Sequence, residues 1–141
     1  MKKLMFLTMA AFAIFSLGCG AGSAADGGKG AVTEEKQEAK FRQVSSTEAQ
    51  KMLAEETGYI LLDVRTPKEY AEGHIPNAVN LPNETIQKEP PAILADKGQR
   101  IFLYCRSGRR SQDAAAKLAA MGYTNIVDFG GIVDWRGDVV Q

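Results

Sequence analysis

Histidine occurs once and cysteine twice in 141 residues, and 17 lysines and arginines are balanced by 17 acidic residues. Each shortage removes a class of function. With Cys19 either modified or cleaved away, Cys105 is the only thiol, which leaves no Cys-rich metal site and no intrachain disulfide framework. The chain carries no excess positive charge, and its basic residues gather in one short loop rather than along a broad face, so nucleic acid is not an expected partner. Long apolar runs are also missing. The uncharged stretch Leu4 to Gly18 is too short for a comfortable transmembrane helix.

Preceded by Met1-Lys2-Lys3, that stretch instead reads as a secretory signal over residues 1–19. Ser16-Leu17-Gly18-Cys19 resembles a bacterial lipobox, with Ser16 standing where leucine is preferred, and in that reading Cys19 is lipidated. Cleavage near Ser23-Ala24-Ala25 also satisfies the small-residue rule. Either route exports the protein to the periplasm, and a lipid anchor would be its only tie to a membrane. Residues 20–40, rich in glycine and then in charge, are too poor in apolar side chains to pack and read as a flexible linker. Residues 41–141 remain for one domain, which is enough for a single core.

Within that domain strands alternate with helices. Short strands are expected at Phe41 to Val44, Tyr59 to Val64, Ala78 to Leu81, Arg100 to Tyr104 and Asn125 to Phe129. Ser45 to Glu48 forms a capping signal for a helix running to about Glu56. Pro67 to Glu72 reads as a short helix ended by Gly73, and a helical turn is expected after Pro90-Pro91. A longer helix from Ser111 to Met121 turns Ala114, Ala115 and Leu118 inward and stops at Gly122. This alternation predicts an α/β fold with a mostly parallel central sheet flanked by helices on both faces, and ligand sites at the C-terminal strand ends. Asp63 and Cys105 both fall at such ends.

The segment Cys105-Arg106-Ser107-Gly108-Arg109-Arg110-Ser111 carries the chemistry. It places a thiol at the end of a buried strand, then a tight cationic loop, then a helix. Unsatisfied N–H groups at a helix start and in a concave loop favour negative charge. Nearby guanidiniums draw in anions and favour the thiolate, so Cys105 is a candidate nucleophile rather than an inert core residue.

Several pieces together resemble the single-domain rhodaneses, of the exported type. They are Asp63-Val64-Arg65, Glu69-Tyr70, Gly73-His74-Ile75-Pro76 with Ala78 and Asn80, the loop from Cys105 to Arg110, and Gly130-Gly131 with Trp135. The resemblance implies a sulfurtransferase that needs no metal and no organic cofactor. Cys105 would take the outer sulfur of thiosulfate or a similar donor as a persulfide and pass it to cyanide, a small thiol or a protein sulfur acceptor. Amides of residues 106 to 110 would surround that sulfur, including those of Ser107 and Gly108. Arg106 and Arg110 would bind the anionic end of the donor and Arg109 would steer anions from solvent. Asp63 and Arg65 would buttress the loop through a buried ion pair. His74 belongs to a structural signature and not to a Cys-His dyad. Gly130-Gly131 and Trp135 would shape a loop beside the site. The domain is expected to act as a monomer.

Other readings of the same pattern stay open. A persulfide carrier or sulfide-sensing domain needs the same thiolate without turnover. Phosphatases and arsenate reductases of this fold carry a loop one residue longer; here the arginine comes one position early, at Arg110, which favours sulfur over phosphate. The tail Gly137 to Gln141 departs from the family pattern and leaves the last packing element open.

Overall fold

The computed structural model describes residues 40–141. The expected signal segment, Cys19 and nearly all of the linker lie outside the described residues.

Local chemistry fixes where the helices begin. Ser45 accepts the Glu48 N–H on its hydroxyl at 3.1 Å and starts α1, Ser46–Glu55. Thr66 and Glu69 form a reciprocal capping box around α2, Pro67–Glu72, whose first turn holds the proline. The third helix, α3, spans Arg109–Ala120 and begins two residues earlier than expected. The reason is Gly108, whose φ of 101° ends the preceding loop abruptly and makes Arg109 and Arg110 part of the first helical turn.

Among the described residues five parallel strands form one sheet: β1 (Arg42–Gln43), β2 (Ile60–Asp63), β3 (Val79–Asn80), β4 (Ile101–Cys105) and β5 (Ile126–Gly131). Their order is β1-β5-β4-β2-β3. The central strands are nearly continuous apolar runs, as a parallel sheet covered on both faces requires. Alternate residues then feed two cores. Leu62, Leu103, Cys105 and Ile126 pack with Ala114, Ala115 and Leu118 of α3. Leu61, Phe102, Tyr104, Val127 and Phe129 face Ala49 of α1. Fully burying one such side chain is worth about 1.5–3 kcal/mol, so this packing holds α3 far more firmly than helix propensity could.

Adjacent β2 and β4 run in register, with Asp63 opposite Tyr104. The ends of both strands therefore open onto one rim.

One expectation is corrected, and one question left open is answered. The helical turn expected after Pro90-Pro91 lies instead at Asn83–Thr85, a 3-10 turn directly after β3. Asn83 anchors it there: its N–H donates to the Val64 carbonyl at 3.0 Å and its side-chain amide to Asp113 of α3 at 2.8 Å. Beyond Pro91 the chain makes two reverse turns and no helix: one, closed by the Leu94 N–H on the Pro91 carbonyl, seats Leu94 in the core under Tyr123, and the other, closed by the Gln99 N–H on the Asp96 carbonyl, leads into β4. The C-terminal tail does find a packing partner. Val140 and His74 exchange backbone hydrogen bonds of 2.8 Å in each direction, forming a strap across the chain just after α2.

Candidate active site

Cys105 ends β4 with 1% of its surface exposed. Its Sγ accepts the Gly108 N–H at 2.9 Å, so the loop curls back and aims a backbone donor at the sulfur. Three features fix that curl from behind. A Cβ on Gly108 would lie 3.3 Å from the Gly130 Cα, at a φ that side chains rarely adopt. One on Gly131 would lie 2.7 Å from the Arg106 carbonyl carbon, an overlap that backbone must yield to. The Ser111 hydroxyl donates at 2.9 Å to the Gly108 carbonyl and approaches the Gly130 carbonyl at 3.3 Å. Gly130-Gly131 is thus the wall on which the loop is moulded. Trp135 plays no part in that wall. It packs against Phe129 on the α1 face, with ring centroids 5.7 Å apart.

The arginines of the loop divide into two kinds. Arg106 and Arg109 are exposed, and their guanidiniums have no hydrogen-bond or ion-pair partner among the described residues. Ser107 is exposed beside them. Arg110 is half-buried and committed, donating from both terminal nitrogens to the two oxygens of Glu69 at 2.8 Å each. Glu69 also accepts the Thr66 N–H at 3.0 Å and the Thr66 hydroxyl at 2.9 Å. Arg110 above all, with Thr66, holds the Glu69 carboxyl well below the usual carboxylate range. In return Glu69 raises the Arg110 guanidinium further above its ordinary value, and Cys105 adds to that effect through its charge.

Beneath the β2 end lies a second polar cluster, sealed from solvent. Asp63 accepts from the Arg65 side chain at 2.6–3.0 Å, from the Arg65 N–H at 2.9 Å and from the Tyr104 hydroxyl at 2.8 Å. Tyr104 in turn accepts the Ile75 N–H at 3.1 Å, and Arg65 donates to the Gly73 carbonyl at 2.6 Å. Burial pushes the Tyr104 hydroxyl far above its ordinary pKa, so it stays a donor. Asp63 and Arg65 make no hydrogen bond to residues 105–110; Asp63 reaches the strand that carries the loop through Tyr104, the residue before Cys105. His74 is turned away from the thiol, with its Nδ1 3.0 Å from the Tyr70 carbonyl oxygen and its ring stacked on Tyr70.

Sequence reasoning missed two participants. The link from Glu69 to Arg110 joins residues 41 positions apart, although the Thr66-x-x-Glu69 capping box was a local signal that this carboxylate would be fixed in place. The Tyr104 hydroxyl is the other. A phenol in an otherwise apolar buried strand needs a partner, and Asp63 is the one in register.

The assembled site can present a sulfur nucleophile at the base of the loop formed by residues 106–110. One backbone donor is aimed at the sulfur, one positioned guanidinium stands close by, and two unpaired guanidiniums stand at the rim.

Comparison with known proteins places this arrangement. A family model described as "Rhodanese-like domain" matches residues 45–138. A sulfurtransferase of Allochromatium vinosum is 37% identical over 94 residues, covering 66% of this chain and 86% of that protein. Thiosulfate sulfurtransferase PspE of Escherichia coli is 34% identical over 73 residues, covering 52% of this chain and 70% of that protein. Among solved structures, an Escherichia coli rhodanese with anions is similar with a TM-score of 0.55 and 31% identity, covering 59% of this chain and 98% of that one.

Proposed function

The chain belongs to the rhodanese-like domain family, and from that premise we propose that it is a thiosulfate sulfurtransferase working through a Cys105 persulfide. The Cys105 thiolate attacks the outer sulfur of thiosulfate. A new S–S bond forms, the bond between the two thiosulfate sulfurs breaks, and its electron pair leaves with sulfite. The persulfide that remains carries one negative charge on its outer sulfur. Cyanide or a thiolate acceptor then attacks that sulfur, and the electron pair of the cleaved S–S bond returns to Cys105 as thiolate. No external oxidant or reductant is needed, because the transferred sulfur enters and leaves at the same oxidation level.

The observation that carries this reading is the Gly108 N–H on Cys105 Sγ at 2.9 Å, at the start of a helix. Donors preorganised where negative charge accumulates stabilise both the thiolate and the persulfide. Arg106 and Arg109 attract the anionic donor, and the N–H groups of Arg110 left over after Glu69 is satisfied meet its oxygens. Loop length favours sulfur over phosphate: the arginine comes at Arg110, one position earlier than in the phosphatases and arsenate reductases of this fold, and Gly130 and Gly131 press against the loop from behind.

Replacing Cys105 by serine tests the reading. The near-isosteric hydroxyl should preserve the fold and abolish turnover, and mass spectrometry after thiosulfate exposure should find one added sulfur on the wild type only. Equal turnover by the variant overturns the assignment. Persulfide formation by the wild type without catalytic turnover identifies a sulfur carrier instead.

The reading includes export, with Cys19 as the lipid-bearing residue, supported by the paired lysines and apolar stretch ahead of it. Replacing Cys19 by alanine should move the protein from the membrane fraction into the soluble periplasm or block its maturation. Unchanged fractionation refutes the anchor.

A further inference from the structure

We propose that Glu69 sets the anion selectivity of the Cys105 loop by holding Arg110 in place while cancelling its charge, so that anionic donor and anionic product bind only weakly enough to exchange. The proposal rests on the sulfurtransferase reading above.

The geometry contains both halves of this role. Arg110 sits in the first turn of α3, two residues after Gly108, whose amide faces Cys105, and the two side chains are close enough for their charges to interact. Left alone, it would add a third unpaired cation to a loop that already presents Arg106 and Arg109. Instead both of its terminal nitrogens are occupied by one carboxylate at 2.8 Å. That carboxylate cannot swing away, because Thr66 binds it through both its backbone N–H and its hydroxyl, and Glu69 is itself a member of α2. With a folded-state pKa far below neutrality it stays charged throughout the working range. Other charges facing Arg110 are few: Glu84 contributes a weaker field, and Asp113 one turn along α3 is occupied by Lys117 at 2.9 Å and by Asn83.

The reaction explains why such cancellation is useful. Donor and first product are both multiply charged oxyanions, and they meet the same loop in succession. A fully cationic loop would bind thiosulfate tightly, but it would retain sulfite as well and keep the acceptor from the persulfide. Fork-to-fork pairing of guanidinium with carboxylate removes most of that excess while leaving Arg110 three further N–H groups pointing elsewhere. Glu69 is therefore a positioning residue that acts through Arg110, and it touches no substrate.

Glu69→Gln separates the two effects, because it keeps the size of the side chain and removes its charge. In steady-state turnover at low ionic strength, the KM for thiosulfate should fall severalfold, inhibition by inorganic sulfate and by sulfite should tighten severalfold, and kcat should fall as product release slows. Raising the salt concentration should erase most of the KM difference. Glu69→Asp retains the charge and should return KM and both inhibition constants towards the wild type. A purely structural role predicts otherwise: a KM raised or unchanged in Glu69→Gln with no tightening of sulfate or sulfite, which overturns the proposal. Should Glu69→Gln fail to fold, the same contrast is read from Thr66→Val, which loosens the carboxylate without removing it and should tighten sulfate and sulfite inhibition relative to the wild type; unchanged inhibition in that variant overturns the proposal. A wild type that turns over thiosulfate while neither variant shifts anion affinity refutes this inference alone. A wild type with no sulfur transfer refutes the reading beneath it.

Discussion

Two neighbouring strand ends carry the polar chemistry of this domain, and they use it in opposite ways. At the end of β2, Asp63, Arg65 and Tyr104 are buried, and their side chains are hydrogen-bonded to one another and to backbone groups. At the end of β4, a backbone N–H points at a sulfur and two guanidiniums stand exposed to solvent. The strands lie side by side and in register, so position in the fold does not distinguish them. What differs is whether the donors were left anything to bind. A sealed network supplies rigidity, and an unfinished one supplies chemistry. Glu69 and Arg110 stand between these extremes, paired yet still partly open to solvent.

The largest loss is expected at the sealed end. Asp63→Asn strips the buried Arg65 of its counter-charge while keeping the shape, and breaking a buried pair in this way costs about 3–5 kcal/mol. Urea unfolding should show that loss, with residual activity of the folded fraction close to normal. A stability near that of the wild type would show that the network is not what holds β2 to β4. Gly131→Ala attacks the open end instead. Its Cβ pushes the Arg106 carbonyl, displaces the amides around Cys105 and should lower kcat by about a hundredfold, the scale of an ångström of misplacement. A crystal structure of the variant should show the loop shifted.

Acid sharpens the intermediate case. The Glu69 carboxyl has a lower pKa folded than unfolded, so its ion pair stabilises the fold above the unfolded value of about 4.3 and loses that contribution as pH falls below it. Between about pH 5 and about pH 2 the wild type should therefore lose stability more steeply than Glu69→Gln, measured by thermal unfolding across the range. Parallel curves would contradict the strength of the pair. The smallest effect belongs to the rim. Arg109→Ala should leave stability within about 0.5 kcal/mol of the wild type. It should raise the thiosulfate KM only at low salt, because a charge in solvent acts over a screened distance.

Much of this was legible in the chain. The strand runs, the Ser45 cap, the proline-led helix from Pro67 to Glu72 and the inward face of α3 all follow from spacing and capping rules that operate within a few residues. The Cys105 loop was legible for the same reason, since thiol, glycine and arginines are contiguous. Distant pairings were not. Nothing near Arg110 in sequence reveals that Glu69 will neutralise it, and nothing near Val140 reveals that His74 will accept it as a partner. The turn at Asn83–Thr85 was misplaced because its anchor is Asp113, on a helix formed much later in the chain. Prolines were the stronger local signal, and a tertiary hydrogen bond outweighed them.

The two outermost strands, β1 and β3, are only two residues long each, and β1 consists of Arg42 and Gln43. Little unpaired backbone is left at either side of the sheet for another molecule to extend, and at one side a charged and an amide side chain stand guard over it. The domain should therefore tolerate crowding and high expression without recruiting copies of itself into fibres. A loop that must stay open to anions is thus mounted on a scaffold whose edges offer other proteins almost nothing to hold.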